Sequence, residues 1–183
     1  MPDMTASEKI KSAETPHKAE SLRERLRRRL SQQTGTSKYY SRGRPFWRLF
    51  YTDGMRLLAA EAEAQWLIDM IKSYVPSILG QMEETGFGLH TAVLTAPEEA
   101  GSSGCFYLFD HRLTDEEVKA AGGSEAGQHL HQYLHSSYEW QEIPHTDFPL
   151  EWVKIVLGPK SSKVVIEDAS DVEGVIACLP SEN

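Results

Sequence analysis

The stretch MRLLAAEAEAQWLIDMIKSY, Met55 to Tyr74, decides how the fold is read. Ala, Leu, Glu and Met all favour helix. Around Trp66-Leu67-Ile68-Asp69-Met70-Ile71 apolar side chains fall on nearly every side, the mark of a helix buried in a core. The pattern predicts one long central helix, ended or bent by Pro76. Just before it, Phe46-Trp47-Arg48-Leu49-Phe50-Tyr51 is aromatic enough to be a strand, and Thr52-Asp53-Gly54 punctuates the passage from strand to helix. Asp53 is placed to N-cap the helix, its carboxylate accepting the first free amide hydrogens.

Working outward, residues 87–95, 105–110, 138–143, 152–157, 163–167 and 175–179 read as strands. Thr114-Asp115-Glu116-Glu117 opens a capped helix over 113–121, and Gly122-Gly123 separates it from a weaker helical piece over 125–136. A strand, a long helix and then a run of strands with one helical insertion predict an α+β fold. Its sheet is expected to be mainly antiparallel and packed on the central helix.

Residues 1–18 are rich in Ser, Thr, Lys and Glu and read as disordered. Leu22, Leu26 and Leu30 then recur every fourth residue among Arg23, Arg25, Arg27, Arg28 and Arg29, the pattern of a short basic amphipathic helix. Thr34-Gly35-Thr36 reads as a linker, giving a basic arm over 1–35 and a single domain over 36–183 that is expected to fold without it. The formal net charge of −8 hides an asymmetry. Residues 1–50 carry twelve Lys and Arg against five Asp and Glu, or +7, whereas residues 51–183 carry seven against twenty-two, or −15. Such a body repels nucleic acid and favours basic proteins, while the arm favours anions. A short linker keeps the arm near the body at an effective concentration of about a millimolar. The arm is therefore expected to rest on the body, or on an acidic groove of a second copy in a homodimer, leaving duplex DNA binding weak.

Four short segments carry a resemblance: Tyr51-Thr52-Asp53-Gly54, Trp66-Leu67-Ile68-Asp69, Thr146-Asp147-Phe148-Pro149-Leu150 and Leu179-Pro180-Ser181-Glu182. In order and spacing the chain resembles a family of small bacterial and mobile-element proteins known only as a domain of unknown function. The resemblance runs from about Thr36 to the C-terminus and implies a fold boundary and a mobile-element or phage-like setting, but no activity. The basic arm and residues 113–137 look like additions to that pattern.

The chemistry on offer is sparse. No apolar run approaches the ~18 residues that span a bilayer, and the polar first twenty residues hold no export signal, so a soluble cytoplasmic protein is expected. Cys105 and Cys178 are too few for a disulfide scaffold; Cys178 sits in an apolar run as a core residue, and no Lys, Arg or His stands beside Cys105 to activate it. Asp53, Asp69 and Asp147, if brought together, would suit a hard divalent cation. Each also has a structural reading: Asp53 as a cap, Asp147 before Phe148-Pro149 as a turn former bonding its own backbone, and Asp69 tied down by an Arg or Tyr. His131 and His135 share a helical face, with His129 nearby, but Gln132 stands where a hydrolytic zinc motif needs Glu. No glycine-rich nucleotide cradle and no nucleophile elbow occurs. The expectation is thus a non-enzymatic interaction protein without metal or cofactor, whose acidic body binds or inhibits a basic nucleic-acid-handling or defence protein. A nucleic-acid-associated regulator using the arginines and a small metal-dependent hydrolase are the alternatives.

Overall fold

A computed structural model of the chain describes residues 20–44, 47–86, 88–96, 103–122, 137–144, 146–160 and 174–183. The strands are β1 (Tyr39–Arg44), β2 (Trp47–Thr52), β3 (His90–Thr95), β4 (Gly104–Phe109), β5 (Glu139–Ile143), β6 (Trp152–Pro159) and β7 (Gly174–Cys178). The helices are α1 (Leu22–Ser31), α2 (Asp53–Glu61), α3 (Gln65–Ser73), α4 (Val75–Thr85) and α5 (Asp115–Gly122), and a 3-10 turn covers Pro180–Glu182. The strands form one seven-stranded sheet in the order β1-β2-β7-β6-β3-β4-β5. Only β2 and β7 run parallel, with Arg48 opposite Gly174 and Tyr51 opposite Ala177; the other neighbours are antiparallel. The fold is α+β with a mainly antiparallel sheet, as the sequence predicts. The helical piece over 125–136 and the strand over 163–167 lie outside the described residues.

The single long helix does not form. Residues 53–85 make three helices instead, α2, α3 and α4. The first break is at Ala62-Glu63-Ala64, where Glu63 takes the left-handed region at φ 51°. The second is at Tyr74, whose amide turns back to the Ile71 carbonyl at 3.1 Å. Pro76 then sits in the first turn of α4, where a missing N–H costs nothing, so it opens a helix and does not end one. Gly86, at φ 68°, closes α4 in the left-handed C-cap that glycine adopts without strain. Each short helix buries one stripe: Met55, Leu58 and Ala59 on α2; Leu67, Ile68 and Ile71 on α3; Val75, Ile78 and Met82 on α4. Strung along one imagined axis, these stripes look apolar all round. Asp69 consequently faces solvent.

The helices α1 to α4 and the sheet share one large core. Strand alternation sends Leu49, Ala92, Leu94, Phe106, Leu108, Ile155, Leu157, Val175 and Ala177 into it. The opposite face carries a smaller cluster, in which Val93, Tyr107 and Phe109 pack against Leu113 and Val118 from α5 and its approach. Lys154 anchors that helix, its ammonium donating to the Leu113 carbonyl at 3.2 Å and to Asp115.

Helix α1 begins with a capping box: the Glu24 amide donates to Ser21 Oγ at 3.2 Å and the Ser21 amide to the Glu24 carboxylate at 3.0 Å. Of its leucines, Leu26 is fully buried in the large core, Leu30 packs at the core's border and Leu22 is exposed. Leu26→Ala should lower the stability of the full chain by about 3 kcal/mol, as for a deeply buried leucine. Urea denaturation followed by circular dichroism measures it. Residues 36–183 alone, which lack the same side chain, should melt well below the full chain.

Candidate functional site

Two of the four motif segments meet at the start of α2. Thr52, not Asp53, is the N-cap: its hydroxyl accepts from the Met55 amide at 3.4 Å while its backbone is still extended. The Glu182 carboxylate closes over the same turn, accepting from Thr52 Oγ1 at 2.5 Å, from the Gly54 amide at 2.9 Å and from the Leu179 amide at 3.1 Å. A carboxylate at a helix N-terminus is favoured by the free amides and by the helix dipole. The approach leaves no space for a side chain at Gly54, where a Cβ would stand 2.6 Å from Glu182 Oε2 and 2.8 Å from Leu179 Cδ1.

Asp53 is thereby released for a second task, holding the chain that leads into β1. It accepts from the Tyr40 hydroxyl at 2.9 Å, from the Ser37 amide and hydroxyl at 3.0 Å each, and from the Lys38 amide at 3.2 Å. Burial pushes its carboxyl upward, but the donors from Tyr40, Ser37 and Lys38 outweigh this and hold it below the ordinary 3.8.

The other two motif segments also meet. Trp66 packs edge-on against Phe148 with ring centroids 6.3 Å apart. The turn at Thr146–Leu150 is tied by Thr146, whose hydroxyl accepts from the Phe148 amide at 3.2 Å. Asp147, expected to do this, instead points into solvent, because threonine one residue earlier already supplies the acceptor. The Pro149 carbonyl accepts from Arg23 Nε at 3.0 Å. Asp69 is held by an arginine, as expected: Arg42 on β1 grips it with two bonds of 2.6 and 2.7 Å, which also raises the Arg42 pKa. Asp53, Asp69 and Asp147 are therefore not brought together, and among the described residues no three His, Cys, Asp or Glu side chains group to hold a metal. His129, His131 and His135 lie outside the described residues. Cys178 is buried, its Sγ donating to the Val156 carbonyl at 3.7 Å, and burial pushes its thiol up to about 11.

The five arginines of α1 each find a carboxylate of the same chain. Arg23 and Arg27 share Glu151 at 3.1 and 3.3 Å, Arg25 and Arg29 share Glu61 at 3.6 and 2.5 Å, and Arg28 meets Glu20 at 2.8 Å. Between α1, β6 and the C-terminal turn lies an open cleft of about 370 Å³ whose walls include Leu30, Leu150, Trp152 and Leu179.

Sequence reasoning missed Trp140. It stands 55 % exposed on β5, the last strand of the sheet, with Glu142 beyond it on the same face. The signal was legible: Glu139-Trp140-Gln141-Glu142-Ile143 has too few apolar residues for an interior strand, so it had to lie at an edge.

Two outcomes follow from the residues at the start of α2. Gly54→Ala should cost about 1–3 kcal/mol by overpacking against a pinned carboxylate, and Glu182→Ala should return part of that loss in the double variant; urea titrations of the three variants measure the coupling. Asp53→Asn should cost about 1 kcal/mol near pH 7, the low end for bonds to a partly solvated charge. Because the folded-state pKa is lowered, that difference is present above the unfolded value and is lost as pH falls through the folded one. The gap between the melting curves of the two proteins should therefore narrow as pH is stepped down from 7 into acid, because Asp53 is protonated there.

Among the described residues no helix is long and apolar enough to cross a membrane. No curated protein and no solved structure is significantly similar to the chain. The family of unknown function DUF6876 matches residues 24–183, from inside α1 to the C-terminal residue, and the chain belongs to that family.

Proposed function

We propose that the protein is a non-catalytic interaction module whose acidic body binds a basic protein, of the kind that handles nucleic acid or acts in defence. The observation that carries the reading is the internal use of all five α1 arginines. They are the densest positive charge in the chain, and each is already within ion-pair distance of Glu20, Glu61 or Glu151. A phosphate backbone would have to displace those carboxylates while the body, at −15 over residues 51–183 with Glu61 and Glu151 included, repels it. A basic protein meets no such competition. It is drawn to acids that carry no ion pair among the described residues, Glu142 on β5 among them, and like charges on the body discourage acidic partners.

Fluorescence anisotropy separates this from the arginine-arm alternative. The full chain should bind a labelled arginine-rich peptide at 50 mM salt and bind it more weakly at 200 mM. A labelled duplex DNA should bind weakly at both. If instead the arginines contact about five phosphates, DNA affinity should fall some hundreds-fold between the two salt concentrations, at a slope near −0.9 per contact. Tight DNA binding with that slope, lost when Arg25, Arg27 and Arg28 are changed to Ala, would overturn the proposal.

A further inference from the structure

We infer, resting on the reading just given, that the outer edge of β5 receives an extended arginine- or lysine-rich segment of a partner protein as an added strand. Strand β5 ends the sheet, and no described strand pairs beyond it. It is firmly seated from the inner side. Ser77 on α4 donates to the Glu139 carboxylate at 3.2 Å, and the Tyr74 hydroxyl donates to Gln141 Oε1 at 3.1 Å. On the other face stand Trp140 and Glu142, opposite Tyr107 and Cys105 of β4. Neither carries a hydrogen bond or ion pair among the described residues.

Exposed edges are usually blunted by lysine, by proline or by cover from a helix. Glu139–Ile143 contains neither lysine nor proline; its charges are acidic, and its largest side chain is an exposed tryptophan. In strand addition the backbone ladder supplies affinity and alternate side chains supply selection. A segment with a cation every second residue would set one beside Glu142 and lay another over the Trp140 ring, whose face attracts guanidinium. Glu139 adds attraction from the inner face. A second copy offers a basic edge of its own in β1, but the Arg42 guanidinium there is already gripped by Asp69, so a foreign basic segment is the better match.

The test uses the full chain and a labelled heptapeptide of alternating Arg and Val. Trp140→Ala and Glu142→Lys should each weaken binding about tenfold, as for a tryptophan at the centre of a contact. Glu83→Lys, the same charge change on α4, should have an effect below about threefold, as expected of an exposed charge outside the contact. Circular dichroism verifies that all three variants fold. Of two peptides N-methylated at complementary alternate residues, one should lose at least about tenfold and the other little, because only one set of amides faces β5. Peptide binding that is insensitive to Trp140 and Glu142 would overturn this site while leaving the acidic-body reading intact. Equal binding by both methylated peptides would reduce the contact to charge alone and overturn strand addition. No peptide binding by the unaltered chain would sink the acidic-body reading itself. Self-association in sedimentation that Glu142→Lys abolishes would assign the edge to a second copy instead.

Discussion

One carboxylate, that of Glu182, holds the two ends of the fold together. The sheet is antiparallel except where β2 meets β7, and that parallel pair is the seam joining the N-terminal hairpin to the remaining strands. A parallel neighbour cannot be set by a tight turn, so its alignment must be fixed by contacts made elsewhere. Glu182 makes them. It stands in the turn just after β7 and reaches the end of β2, bonding Thr52 there and Gly54 in the first turn of α2. The same contact orients α2, and through α2 it positions α1 and α3, which pack on that helix.

Seen this way, the recurring short segments of the sequence are paired fasteners. Tyr51–Gly54 meets Leu179–Glu182, and Trp66 of the second segment meets Phe148 of the third. The glycine is small because the glutamate must come close, and the aspartate is free to hold Ser37, Lys38 and Tyr40 because threonine has taken the capping role. These residue types need no catalytic task to explain them. The chemistry of the chain is therefore better sought where residues are not consumed by the fold, on its surface.

Strand-scale structure was legible because alternation is local. The strands read near residues 105–110, 138–143, 152–157 and 175–179 became β4, β5, β6 and β7 with ends shifted by one or two residues. The helical region was less legible. Ala62-Glu63-Ala64 carries no proline or glycine to announce a break, and only the left-handed turn at Glu63 lets α2 and α3 each put its own stripe on the sheet. Strand β1 was hidden as well, since Tyr39-Tyr40-Ser41-Arg42-Gly43-Arg44 gains its ladder from β2 and not from its own pattern. For the motif residues, sequence supplied the types and the structure supplied the partners. That Asp69 needed an arginine was readable; that the arginine would be Arg42, 27 positions earlier, was a property of the sheet.

The charge asymmetry of the sequence is met inside the fold, where the α1 arginines lie on carboxylates of the same chain. Partly exposed surface ion pairs such as those at Glu61 and Glu151 contribute about 1 kcal/mol or less each, so the arginines do little to hold α1 in place. Leu26, fully buried, contributes more, at about 2 kcal/mol. The helix is thus seated by its leucine, and the arginines are carried with it onto the carboxylates beneath. Their effect is on the field more than on the fold: the positive charge of α1 is offset at short range by Glu20, Glu61 and Glu151, and acids outside its reach keep their charge. Among these Glu142 shares a face with the exposed Trp140 ring on a strand whose outer edge has no described neighbour, where charge, apolar area and backbone donors coincide. A surface needs all three to select a basic segment over a basic side chain. On this molecule the edge of β5 supplies them together.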